Sequence, residues 1–195
     1  MIHMPSPLSS RSTNRFQVGV IGTGWIANLS HGPALREFAR THPQNCLRAV
    51  SDVQSERAAK FASQFGFERS YADTAEMLAK EHLQAVYVLV PDRLMARVAS
   101  LPLSLGIPTL IEKPPGKSPE EVYQLMESAS KMETPHFVAF NRRCVPLLVA
   151  LRQRVQAVQE ETGAAPELIS YLFSRHGRFD ADFSTTAAGL GFVLA

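Results

Sequence analysis

The chain has 195 residues, 45% apolar and 19% charged, with 20 basic and 18 acidic side chains and a formal net charge of +2. That balance is expected of a soluble globular protein with one sizeable core; it shows no basic block to suggest a nucleic-acid partner and no apolar run near the roughly 20 residues of a membrane helix. Cys46 and Cys144 are the only cysteines, too few for a zinc site or a disulfide framework, so two reduced thiols in a cytoplasmic protein are expected.

Residues 1–14, MIHMPSPLSSRSTN, contain no acidic side chain and no continuous apolar stretch of the signal-peptide kind. They read as a disordered tail, with a transit peptide as the alternative. FQVGVI (16–21) has the length and β-branched content of a buried strand. It runs into Gly22-x-Gly24-x-x-Ala27, a spacing that serves either a tight strand-to-helix turn or a cradle for a dinucleotide pyrophosphate. In the second reading Gly22 makes the turn and Gly24 admits phosphate oxygens to the backbone. Ala27 then keeps the helix close to the strand, and Thr23, Trp25 and Ile26 complete the cradle at the helix's positive end. The helix is expected to start near Gly24 and to break at Gly32-Pro33, with Pro33 opening a second piece over 33–40.

CLRAVS (46–51) is the second strand, and SERAAKFASQFG (55–66) a helix stopped by Gly66. TAEMLAKE (74–81) is a short helix capped by Asp73 or Thr74, and AVYVLVP (85–91) a buried strand closed by Pro91. RLMARVASLPLSLG (93–106) begins as a helix that Pro102 should bend or end, and IPTLIE (107–112) is strand again. Ser118, Pro119, Glu120 and Glu121 give 118–132 a strong helix entry, and HFVAF (136–140) is the last strand of the series. Nearly continuous apolar strands alternating with helices predict a doubly wound parallel α/β sheet, covered on both faces. The glycine turn then sits at the first strand-to-helix junction, where dinucleotide chemistry needs it.

Asp52 closes the second strand. A carboxylate there can accept from both adenosine ribose hydroxyls and would repel a 2′-phosphate, which favours NAD; Arg57 nearby leaves NADP open. The alternative is that Asp52 only caps the helix beginning near Ser55.

IEKPPG (111–116) adds something more specific. With GVIGTGWIA, AVSDVQSERAAKFASQFG, VYVLVPDRLMARVA and VAFNRRCVP in the same order, residues 16–175 resemble the Gfo/Idh/MocA family of glucose–fructose oxidoreductase and inositol dehydrogenase relatives. The resemblance implies a Rossmann domain over 15–145 and, over 146–195, a linker helix and the start of a second α+β domain. It implies NAD(P)-dependent hydride transfer at a hydroxyl-bearing carbon of a sugar or cyclitol. Lys113 takes the place of the family's catalytic lysine, which hydrogen-bonds the substrate oxygen and helps move its proton; the alternative is an ordinary solvated lysine at a strand end. Glu112 would line the cofactor pocket, with Pro114 shaping the turn. Val90 and Pro91 would pass the cofactor, and Asn141 and Arg142 would lie near nicotinamide and substrate, or else belong to a solvated loop. Met95 stands where the family commonly has His.

The family's His-x-x-Asp is expected after FDADFSTTA (179–187), where the sequence reads AGLGFVLA; His176 precedes that position. The expectation is therefore an oxidoreductase shortened inside its second domain, with little turnover. It should self-associate through an exposed sheet edge at ELISYLFS (167–174), against an amphipathic helix at 146–160. The alternatives are a cofactor-binding module without turnover and a Rossmann protein with another ligand, such as a nucleotide sugar.

Overall fold

Short apolar strands need helices on both faces to bury them, and the chain supplies both. The structure, a computed structural model, describes residues 15–164. The chain divides into two units between Asn141 and Arg142.

The first unit is built on six strands: β1 (Phe16–Ile21), β2 (Asn45–Ser51), β3 (Arg69–Tyr71), β4 (Ala85–Val88), β5 (Thr109–Ile111) and β6 (His136–Val138). They form one sheet in the order β3-β2-β1-β4-β5-β6, every neighbouring pair parallel. This is the doubly wound topology with its switch point between β1 and β4. Five helices cover it: α1 (Gly32–Thr41), α2 (Ser55–Phe65), α3 (Thr74–Lys80), α4 (Asp92–Ser104) and α5 (Pro119–Lys131). Strand side chains alternate between two cores. Val18, Val20, Leu47 and Val50 pack with Leu35 of α1 and Phe61 and Phe65 of α2. Ile21, Val86, Val88 and Ile111 pack with Met77 and Leu78 of α3, Met95, Ala99 and Leu103 of α4 and Leu125 of α5.

The helix signals act as expected. Asp73 accepts from the Glu76 N–H at 2.8 Å, Ser118 Oγ from the Glu121 N–H at 3.4 Å, and Gly66 takes a left-handed conformation that ends α2. One expectation is corrected. The first helix does not break at Gly32-Pro33: it opens at Trp25 and runs through a π-turn at Ala27–His31, where the Gly32 N–H donates to the Ala27 carbonyl, into α1. The wider turn makes room for the Pro33 ring and absorbs its missing donor. Pro102 lies buried in the last turn of α4, which ends at Ser104, two residues on, as a proline there should make it; the Pro102 carbonyl accepts from Leu105 and Ile107 (3.1 and 3.0 Å). β3 was not foreseen, and β4, β5 and β6 are shorter than their apolar runs.

In the second unit, α6 (Pro146–Thr162) confirms the helix expected there, but none of its residues is buried. The strand expected at 167–174, His176 and the sequence after residue 178 lie outside the described residues.

Candidate functional site

In a parallel sheet all loops after the strands emerge on one edge, and backbone hydrogen bonds carry the ladder one step beyond the strand ends here. Gly22 N–H donates to the Ser51 carbonyl (2.8 Å), Asp52 N–H to Tyr71 (3.1 Å), Leu89 N–H to Ile21 (2.8 Å), Glu112 N–H to Val88 (3.0 Å) and Ala139 N–H to Ile111 (2.8 Å). These bonds set the glycine turn, Asp52, the Leu89-Val90-Pro91 segment, the Glu112-Lys113 segment and the stretch before Asn141 along the carboxyl edge of the sheet. That edge is where open α/β folds bind their ligands.

The glycine turn is shaped by close approach. Gly22 has φ 90°, and a Cβ there would lie 2.8 Å from the Leu89 carbonyl oxygen and 2.9 Å from Val90 Cγ1. Gly24 differs: a Cβ on it would meet nothing within 4 Å, so its open side faces unfilled space at the helix start. The first N–H groups of that helix have no carbonyl partner within it and carry the positive end of its dipole. Ala27 is fully buried against the sheet, as a third small residue should be, whereas Trp25 is 73% exposed. Ile26 packs partly buried against the same core. Asn28 Nδ2 donates to the carbonyls of Thr23 (2.8 Å) and Gly24 (2.9 Å), tying the turn to the helix that follows it.

Asp52 is tied to this turn. Its Oδ2 accepts both the backbone N–H and the hydroxyl of Thr23 at 2.9 Å, and its Oδ1 accepts the Gln54 N–H at 2.9 Å. Arg57 Nη2 bridges the two oxygens at 2.8 and 3.1 Å. Burial alone would raise the Asp52 carboxyl; the Gln54 and Thr23 amides, Arg57 and the Thr23 hydroxyl outweigh it and hold the group below the usual carboxylate range. Asp52 therefore caps the approach to α2 through Gln54 and also locks the glycine turn. The buried Thr23 spends its donors on Asp52.

At the other end, Val90 is half-buried and Pro91 precedes α4. Glu112 is buried, and its Oε2 accepts the Lys113 N–H at 2.6 Å. The Lys113 side chain is exposed. Met95 is buried in the core under α4 and offers the edge no polar group. Asn141 is exposed at the end of the first unit, and Arg142 belongs to the second. Asn28 and His31, both facing this edge through their hydrogen bonds, escaped the sequence reading. Among the described residues no cluster of His, Cys, Asp or Glu could hold a metal ion, and no helix is long and apolar enough to cross a membrane.

Residues 16–140 match the model of the oxidoreductase family with an NAD-binding Rossmann fold. The chain belongs to that family. Among its relatives is the levoglucosan dehydrogenase of Pseudarthrobacter phenanthrenivorans, 25% identical over 157 residues that make up 79% of this chain and 39% of the relative. Another is the NADP(+) scyllo-inositol 2-dehydrogenase IolU of Bacillus subtilis, 30% identical over 112 residues, 56% of this chain and 32% of the relative. The crystal structure of GenD2 from gentamicin A biosynthesis in complex with NAD superposes with a TM-score of 0.65 at 25% identity, over 80% of this chain and 43% of that one. The chain thus spans well under half the length of the relatives it matches. The all-parallel six-stranded sheet agrees with the family's Rossmann fold.

Proposed function

We propose that the chain provides the cofactor-binding half of an NAD(P)-dependent oxidoreductase acting on a hydroxyl-bearing carbon of a sugar or cyclitol. The observation that carries this reading is the glycine turn: Gly22 at φ 90° pressed on the β4 loop, and open space beside Gly24 where a helix starts. The open space beside Gly24 leaves room for a pyrophosphate, and the amides of Gly24, Trp25, Ile26 and Ala27 would hold it. Asp52 would stand at the adenosine ribose, with Arg57 on its flank, favouring NAD over NADP. Val90, Pro91, Glu112, Asn141 and Arg142 are assigned to the nicotinamide end on family likeness. Bound there, the nicotinamide would accept or return a hydride. Lys113, exposed at the strand end, would hydrogen-bond the substrate oxygen; as the neutral amine it would take up the hydroxyl proton while hydride leaves, and as the ammonium it would return that proton in the reverse direction. The sugar-like substrate rests on relatives that act on levoglucosan and scyllo-inositol.

A cytoplasmic setting is supported by two free thiols, Cys46 buried and Cys144 exposed. Self-association through the strand edge expected at 167–174 rests on the apolar, β-prone sequence ELISYLFS alone; a clean monomer by light scattering would refute it. The cofactor reading is tested by following fluorescence while titrating the chain with NADH and NADPH. Saturable binding, tighter for NADH, is expected; no binding of either at millimolar concentration would overturn the proposal.

A further inference from the structure

His31 is the last residue of the π-turn that follows the glycine cradle. One extra residue in a helical turn rotates everything after it by roughly 100°, and such turns often serve a site rather than the packing. The rotation here brings the ring across the crevice. His31 Nε2 lies 3.3 Å from Glu112 Oε1, and the ring stands edge-on to Tyr87 of β4, centroids 6.0 Å apart at 70°. Since β4 lies between β1 and β5 in the sheet, a residue from the helix after β1 reaches over β4 to the loop after β5.

The Glu112 side chain is only 7% exposed and that of His31 16%. A carboxylate so placed needs partners for both oxygens, and it has them: Oε1 meets His31 and Oε2 accepts the Lys113 amide at 2.6 Å. The hydrogen bonds therefore run from the helix that starts at the cradle, through Glu112, to the backbone of Lys113. Neither His31 nor Glu112 belongs to the two hydrophobic clusters, in which Val88 and Ile111 are buried.

We propose that His31 is a positioning residue for the nicotinamide end of the site: it fixes the Glu112 carboxylate, which fixes the Lys113 amide and so the direction in which that lysine leaves the strand. The proposal rests on the dinucleotide reading above. It assigns His31 no contact with the reacting atoms.

The experiment compares NADH with ADP, which lacks the nicotinamide half, on the full chain. His31→Phe keeps a ring against Tyr87 and removes both nitrogens; His31→Gln keeps a donor. His31→Phe should weaken NADH binding at least fivefold and leave ADP within twofold of wild type, and His31→Gln should recover most of the loss. In a Glu112→Gln background, which leaves no buried charge unpaired, adding His31→Phe should change NADH affinity by less than twofold, because the two residues act as one. NADH binding within twofold of wild type in His31→Phe overturns the inference, as does an equal loss of NADH and ADP, or additive effects in the double variant. Wild type binding neither nucleotide would instead overturn the dinucleotide reading itself.

Discussion

Gly24→Val separates fold from function at the cradle. The Cβ at Gly24 meets nothing within 4 Å, and the residue lacks the positive φ that Gly22 shows. A side chain there enters open space, so stability should stay within about 0.5 kcal/mol of wild type, as for an ordinary surface substitution. If that space receives a pyrophosphate, two added methyl groups exclude it from the helix-start amides. The loss should be at least tenfold in NADH affinity, about 1.4 kcal/mol. Gly22→Ala makes the contrast: φ 90° and a 2.8 Å approach to the Leu89 carbonyl should cost about 2 kcal/mol of stability from backbone strain and crowding. Urea unfolding and NADH fluorescence titration on the same preparations read both quantities. Unchanged NADH affinity in a folded Gly24→Val protein would refute the reasoning.

Asp52→Ala should narrow or reverse a preference for NADH over NADPH, and Arg57→Ala should weaken NADPH binding more than NADH; parallel titrations of both nucleotides decide, and tighter NADPH binding by wild type would contradict the Asp52 assignment. Asp52 ionises below the usual range in the folded chain and near 3.9 unfolded, so its stabilisation is complete above that range and is lost as pH falls through the lower folded value. Asp52→Asn should therefore flatten the acid limb of a stability profile below about pH 4, where an unchanged limb would count against the Thr23 lock. Ala27→Leu adds three carbons at a fully buried contact between helix and sheet; a loss of about 1–3 kcal/mol by urea unfolding is expected.

Features whose physics is local were legible in the sequence. Ser118-Pro119 and Asp73 carry their own capping atoms, Gly66 its own conformational freedom, and the two glycines at 22 and 24 their spacing. β3 was not legible because Arg69-Ser70-Tyr71 has no apolar alternation to show; its pairing comes from β2, through Ala49, Val50 and Ser51. The π-turn was hidden for a similar reason. Gly32-Pro33 signals a break when read along the chain, and only a helix already anchored by buried Ala27 and Leu35 resolves it as a widened turn. Asn28 and His31 look like polar residues on a solvated helix face. Their partners lie at Thr23 and Gly24 in one case and 81 residues away in the other. Asp52 stands at the strand end as expected, yet two of its five bonds, both from Thr23, depend on β1 and β2 being neighbours.

That adjacency explains why the cradle can be rigid and open at once. The chain after β1 turns to the face covered by α1 and α2, and the chain after β4 turns to the face covered by α4 and α5. The two loops diverge, and the crevice between them follows from strand order alone. A crevice without supports would collapse or fluctuate. On one side Asp52 clamps Thr23, a bond between neighbouring strand ends that leaves the crevice clear; at the far end the His31–Glu112 pair crosses over β4 to the loop after β5. The first support fixes where phosphates would rest, and the second fixes how far the Lys113 segment stands from them. Each relies on a polar group buried at the sheet edge, a placement that costs stability unless every donor and acceptor is matched. Among the described residues no buried side-chain nitrogen or oxygen lacks a partner, so the edge is built as a matched set whose free face points into the crevice.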